Sequence, residues 1–244
     1  MISANSPFDE RATEYDAYRT GYSRTLYDAL SEIGFAPGWH VLDVACGTGL
    51  ASEPLLQRGM TVTGVDVSEP MLEKARARIP QGEFVRGEAE SLPFGRGEFH
   101  AVVCAQAVHW MDQEKAVAEM ARVVRPGGRV AVWWKTLTPD EPLRALRVAS
   151  AGAVGKEPPP DIMQGSFRAF YKQPFAERWL RVIPFVVMSS TDRWLGYEKS
   201  RARLDHYGDR AEDYLLELEQ RMRDVDKGRP FRVNYTQFLY VGQV

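Results

Sequence analysis

The stretch Val41-Leu42-Asp43-Val44-Ala45-Cys46-Gly47-Thr48-Gly49-Leu50 sets the fold. Apolar residues surround one carboxylate and then enter a turn with two glycines, the pattern of a buried strand that ends against a ligand. Glycine lacks a Cβ, so the backbone there can take positive φ and lie close to a guest molecule. Two classes of nucleotide-like guest compete for such a turn. A dinucleotide loop reads G-x-G-x-x-G, points a helix N-terminus at a pyrophosphate and places an acid about 20 positions on for the ribose. Here Gly47-Thr48-Gly49-Leu50-Ala51-Ser52 lacks the third glycine. Asp43 also precedes the turn, where it repels a pyrophosphate and attracts a cation.

Outward from this turn, residues 39–45, 61–67, 83–87, 99–107 and 128–134 predict five strands. Residues 50–58, 69–79 and 113–124 carry helical apolar spacing between them. The alternation predicts a parallel sheet covered on both faces. Ser68 is placed to cap the helix that begins at Glu69-Pro70, and Pro126-Gly127-Gly128 to stop the one ending near Val124. Residues 1–38 predict a helical cover of two helices broken near Thr20-Gly21, with Tyr15, Tyr18 and Tyr22 close to helical spacing. The proline clusters of residues 135–178 (Pro139, Pro142, Pro158 to Pro160, Pro174) predict a mobile substrate lid. Residues 181–189 and 231–243 predict strands, and 192–204 and 209–225 helices. The chain thus divides into a cover (1–38), a cofactor-binding core (39–134), a variable lid (135–178) and a C-terminal part (179–244) of one domain.

Composition narrows the partners. At 244 residues, with 44% hydrophobic and 26% charged, the chain can bury one sizeable core. Lys and Arg total 31 against 33 for Asp and Glu, so no nucleic-acid partner is expected. Cys46 and Cys104 each follow an apolar run, as reduced, buried thiols do in a cytoplasmic protein. No apolar run approaches the roughly 20 residues of a membrane span, and the first residues show no secretory pattern. His40, His100 and His206 are scattered, so no metal site is expected. Spacing says nothing of oligomeric state.

A cationic guest that fits the turn is S-adenosyl-L-methionine, which offers a sulfonium, an ammonium and a ribose diol. Asp66 ends the second strand and can accept from both ribose hydroxyls, with Val67 beside it. Met71 can lie against the adenine, and Glu88, Ala89 and Glu90 follow the third strand where the adenine amino group points. Gln106, after the fourth strand, is a candidate for the methionine end.

Together VLDVACGTGL, TGVDVSEPML, GEAESLPF, VCAQAVHWMD and VVRPGGRVAV resemble the successive motifs of class I S-adenosylmethionine-dependent methyltransferases, across about residues 39–134. The family's glycine motif is acid-x-Gly-x-Gly-x-Gly; Ala45 stands at its first glycine, ahead of Gly47 and Gly49, and Glu88 stands where members often carry aspartate. The resemblance implies a Rossmann-like, seven-stranded, mostly parallel α/β sheet with helices on both faces and the last strand antiparallel. YDAYRTGYS, AQAVHW and WLGYEKSRARL further resemble the trans-aconitate methyltransferase branch of small-molecule enzymes.

Methyl transfer from a sulfonium is an in-line displacement, so an ionised carboxylate needs positioning and no base, whereas a hydroxyl acceptor benefits from one. Tyr18, Arg19, Tyr22, Arg201 and Arg203 are candidates for holding a carboxylate. His109, beside Trp110, is a candidate base or a pocket-shaping residue. Trp133, Trp134, Phe167, Phe170 and Tyr171 are candidates for an apolar substrate wall. The expected reaction is O-methylation of a small carboxylate. C-methylation of a quinone precursor and N-methylation of a small amine are the alternatives within the class; an NAD-dependent oxidoreductase and a non-catalytic cofactor-binding protein are those outside it.

Overall fold

The structure is a computed structural model and describes residues 8–159 and 168–244. Seven strands form one sheet: β1 His40–Val44, β2 Thr61–Asp66, β3 Glu83–Arg86, β4 Phe99–Ala105, β5 Val124–Leu137, β6 Arg178–Ser189 and β7 Phe231–Gln243. Their order is β3-β2-β1-β4-β5-β7-β6. Strands β1 to β5 pair in parallel, and β7 runs antiparallel to both β5 and β6. The order reverses between β1 and β4, which opens a crevice at their carboxyl ends, where open α/β sheets bind ligands.

Strand alternation divides the core. Leu42, Val102, Val132 and Trp134 face one side, and Val41, Val103, Ala131 and Trp133 the other. Helices α1 (Ala12–Tyr18), α2 (Arg24–Glu32), α3 (Ser52–Leu56), α4 (Glu69–Arg78) and α5 (Gln113–Val123) accompany the parallel strands. Ser68 caps α4 by accepting from the Met71 amide at 3.4 Å, with Pro70 in the first turn where no N–H is needed. β5 begins earlier than expected. Val124 already pairs with Phe99, and Pro126-Gly127-Gly128 lies within the strand, Gly128 being pressed on the His100 carbonyl where a Cβ would clash.

The proline-rich stretch predicted as a mobile lid carries regular structure in its described residues. β5 runs on to Leu137, and α6 (Pro142–Ala153) buries Leu143 and Ala151 against Trp194, Tyr214 and Leu218. Pro142 opens α6 instead of breaking it. Helix α7 (Arg168–Lys172) buries Ala169 and Phe170. Pro160 and Phe167 lie outside the described residues. Helices α8 (Thr191–Lys199) and α9 (Ala211–Asp226) complete the fold, joined through a 3-10 stretch at Ala202–Arg210.

Candidate active site

Two adjoining cavities lie at the carboxyl ends of β1, β2, β4 and β5. The first, about 200 Å³, is walled by Ala45, Gly47, Asp66, Val67, Met71, Ala89, Glu90, Gln106 and Trp110. The second, about 290 Å³, is walled by Arg19, His109, Trp110, Trp134 and Arg201, among others. Phe8, Tyr15, Gln106 and Trp110 face both. The roof is the N-terminal segment. Its Asp16 pairs with Arg78 on the side of α4 at 2.5 Å, while Arg11 pairs with Asp205 beyond the second cavity.

The first cavity opens on a backbone turn. Ala45 and Gly47 take φ of +54° and +55°. The left-handed region costs a residue with a Cβ about 1–2 kcal/mol, a strain this fold carries at the mouth of its binding crevice. A Cβ on Gly47 would meet nothing within 4 Å, so its face toward the cavity is open to a guest. Gly49 serves another purpose: a Cβ there would stand 3.1 Å from Ile79, so this glycine packs α4 and does not reach the cavity.

Asp66 is tied at both oxygens, Oδ2 accepting from the Gly47 amide and Oδ1 from the Ser68 amide, each at 2.9 Å. Burial pushes its pKa up and these amides pull it down, leaving a net rise. Each oxygen keeps a second lone pair for a further donor. Asp43 lies behind the turn, fully buried, and accepts the Ser52 hydroxyl on Oδ2 at 2.6 Å. Its Oδ1 has no partner among the described residues, and burial raises its pKa to about 7. Ser52, at the position of a dinucleotide loop's third glycine, therefore holds an acid whose field favours a cation in front of it. An open glycine face, a tied carboxylate and an orphaned acid fit a sulfonium nucleoside better than a pyrophosphate.

Gln106 also takes positive φ, +59°. Its amide nitrogen donates to the Lys135 carbonyl at 2.9 Å, which aims the side chain along the shared wall. Glu90 lines the first cavity and accepts from the Asp112 amide at 2.8 Å, whereas Glu88 is exposed and does not line it.

The second cavity is lined by Arg19, Lys135, Arg144, Arg147, Arg201 and Arg203, and by no carboxylate among the described residues. Glu198, just behind, pairs with Arg201 at 2.9 Å and Arg147 at 3.3 Å; burial raises its pKa, but these charges hold it below the usual range. Lys135 donates to Thr20 O, Thr20 Oγ1 and Gly21 O at 2.7, 2.6 and 3.0 Å. Burial, with Arg19 nearby, lowers its pKa to about 7. The Trp134 indole N–H donates to His109 Nδ1 at 3.3 Å. Burial, helped by the Arg203 charge, brings the His109 pKa down to about 4. The neutral ring must then carry its proton on Nε2, because the indole is a donor only. His109 accordingly presents a donor, and its geometry suits shaping the pocket and not accepting a proton.

Several expected substrate contacts are absent from both cavities. The helical spacing of Tyr15, Tyr18 and Tyr22 fails at Arg19, whose ψ of 131° ends α1. Tyr18 covers Gly196, and Tyr22 packs edge-on against Trp133 at 5.5 Å. Trp133 and Trp134 cannot share a wall, since neighbours on a strand face opposite sides. Phe170 is buried beside Phe175, and Tyr171 contacts Tyr240. The spacing missed Phe8, Lys135, Arg144, Arg147, Tyr197 and Tyr235. Lys135 alone had a cue, as a single charge directly after a predicted strand's carboxyl end.

A family profile described as a methyltransferase domain matches residues 42–132. An uncharacterized methyltransferase of Mycobacterium tuberculosis is 39% identical over 120 residues; the match covers 49% of each chain, about half of that relative's length. The demethylmenaquinone methyltransferase of Clavibacter sepedonicus is 35% identical over 201 residues, covering 73% of this chain and 80% of that one. A solved structure from Anaeromyxobacter dehalogenans, provisionally assigned as a type II methyltransferase, is 26% identical with a TM-score of 0.74, covering 93% of this chain and 98% of that one. Fold, glycine turn and relatives agree: the chain belongs to the class I S-adenosylmethionine-dependent methyltransferases.

Proposed function

We propose that this chain binds S-adenosylmethionine in the first cavity and methylates a small carboxylate, at oxygen, in the second. The observation that carries the reading is the shared wall between a cavity backed by acids and a cavity lined by cations. The backbone of Ala45 and Gly47 would lie against the cofactor, Asp66 would accept from its ribose hydroxyls, and Val67, Met71, Ala89 and Glu90 would surround the adenine. Gln106 keeps its carbonyl oxygen for the ammonium of the methionine end, its nitrogen being committed to Lys135. When bound, the cofactor supplies a methyl group on a sulfonium, open to displacement by an anionic oxygen.

The chain's own residues then have three tasks. The rings of Phe8, Tyr15 and Trp110 exclude water from the junction. Arg19, Arg144 and Arg201 attract and orient an anion. His109 offers its Nε2–H to the acceptor. A carboxylate is ionised at neutral pH, so a site whose histidine is already a donor suits it better than an acceptor that must lose a proton. The resemblance to the trans-aconitate methyltransferase branch points the same way.

C-methylation of a quinone precursor is the second reading, favoured by relatives such as that from Clavibacter sepedonicus. Methyl-labelled cofactor, offered with a panel of carboxylic acids, quinols and amines, separates the two. The expected product is an ester that releases its label as methanol in mild alkali. An alkali-stable label on a quinol or amine would replace the carboxylate reading, and cofactor binding without formation of S-adenosylhomocysteine in the presence of any acceptor would leave a non-catalytic protein.

A further inference from the structure

The second cavity holds more fixed positive charge than one carboxylate can answer. Of its six cations, Arg147 and Arg201 share Glu198. Arg19, Lys135 and Arg144 have no ion-pair partner among the described residues; neutral oxygens and aromatic faces hold them.

The two arginines are fixed in the same manner. Arg19 lies between the Tyr15 and Tyr197 rings at 4.7 and 4.8 Å and donates from Nε and Nη2 to Ser200. Arg144 donates from Nε to the Thr138 carbonyl and from Nη2 to Leu137 O and Thr136 Oγ1. In each the Nε–Nη2 edge is anchored and Nη1 has no hydrogen-bond partner among the described residues. Such guanidinium groups are pre-oriented and keep donors in reserve for anionic oxygens. Lys135 differs: all three of its donors are engaged, so it contributes field and not a contact.

We propose that the acceptor carries two anionic groups, one received on Nη1 of Arg19 within the field of Lys135 and the other on Nη1 of Arg144. This rests on the second cavity being the acceptor chamber. The second group is a set of anionic oxygens, a carboxylate or a phosphoryl group. A mono-anion would leave one oriented guanidinium without a counter-charge, so charge count becomes the chamber's selectivity rule.

Isothermal titration of the full chain, saturated with S-adenosylhomocysteine, tests this with matched probes. Succinate, glutarate and adipate are compared with their monomethyl esters, and 3-phosphonopropionate supplies the phosphoryl arm. The best dianion is expected to bind about ten-fold or more tightly than its monoester, as an extra charge-assisted contact requires. Arg144→Gln and Arg19→Gln, each checked for an unchanged melting temperature, are each expected to weaken the dianion more than its monoester and so remove most of that advantage. Equal affinity for dianion and monoester, equal loss for both in the variants, or no dianion binding would overturn the proposal. The more tightly held of the dicarboxylate and phosphonocarboxylate arms identifies the second group. Repeating the titrations without S-adenosylhomocysteine keeps the two ideas apart: if that compound fails to bind while dianions still discriminate, the proposed function falls and the dianion site stands.

Discussion

The first cavity is seated on a backbone turn, at positive φ at Ala45 and Gly47 and tied to Asp66; the second is ringed by side chains, six of them cationic, from four separate stretches of chain. A backbone-built site needs particular residue types at neighbouring positions, because φ and hydrogen bonding are local properties. A side-chain-built site needs only that some element deliver a charge to the right place. The difference accords with the family profile, whose match over residues 42–132 holds most of the first cavity's lining but only Gln106, His109 and Trp110 of the second's.

Substitutions at four positions probe that division, from the largest expected effect to the smallest. Asp66→Ala removes the proposed ribose acceptor and the tie to Gly47 together, so S-adenosylhomocysteine affinity should fall about 100-fold or more, the loss of two charge-assisted hydrogen bonds. Calorimetry showing unchanged affinity would end the assignment of that carboxylate. Lys135→Met should raise the KM of an anionic acceptor about ten-fold and leave cofactor affinity unaltered. The pH dependence has a definite sign. Because the Lys135 pKa lies near 7, below its ordinary value, the attracting charge is present below pH 7 and is lost above it. Acceptor KM should therefore climb between pH 6 and 8.5, measured by label transfer, and Lys135→Arg should flatten the rise.

His109→Phe should lower the rate only about three- to ten-fold, the scale of one lost hydrogen bond. Its more telling readout is the pH profile. A ring with a pKa near 4 is neutral throughout the working range, so the wild type should show no limb near pH 6.5 attributable to it. A limb there that vanishes in His109→Phe would restore the role of base. Last, Glu88→Gln should change cofactor affinity less than about two-fold, because this side chain is exposed and Glu90 faces the cavity in its place.

Most of the first cavity was readable in the sequence because its lining, Phe8 and Tyr15 excepted, lies within residues 45–111, close to strand ends. Within that stretch neighbouring positions went astray: Glu88 and Glu90 differ by two residues and face different ways, and Gly49 packs a helix. The second cavity was mostly hidden. Arg144 and Arg147 stand on α6, inside a stretch whose prolines read as mobile cover although they flank the helix. Tyr18 and Tyr22 misled because helical periodicity was extended past Arg19, where the backbone becomes extended. The paired tryptophans misled by adjacency, which on a strand means opposite faces.

The N-terminal segment that closes over both cavities has a kinetic consequence. Phe8 and Tyr15 touch each compartment, and their segment is pinned on one flank to Arg78 and on the other to Asp205. Lifting that segment to exchange one guest disturbs the enclosure of its neighbour, so the two occupancies are thermodynamically linked and each guest should lengthen the other's residence time. A bisubstrate ligand spanning both compartments should then hold that ceiling shut longer than either guest alone.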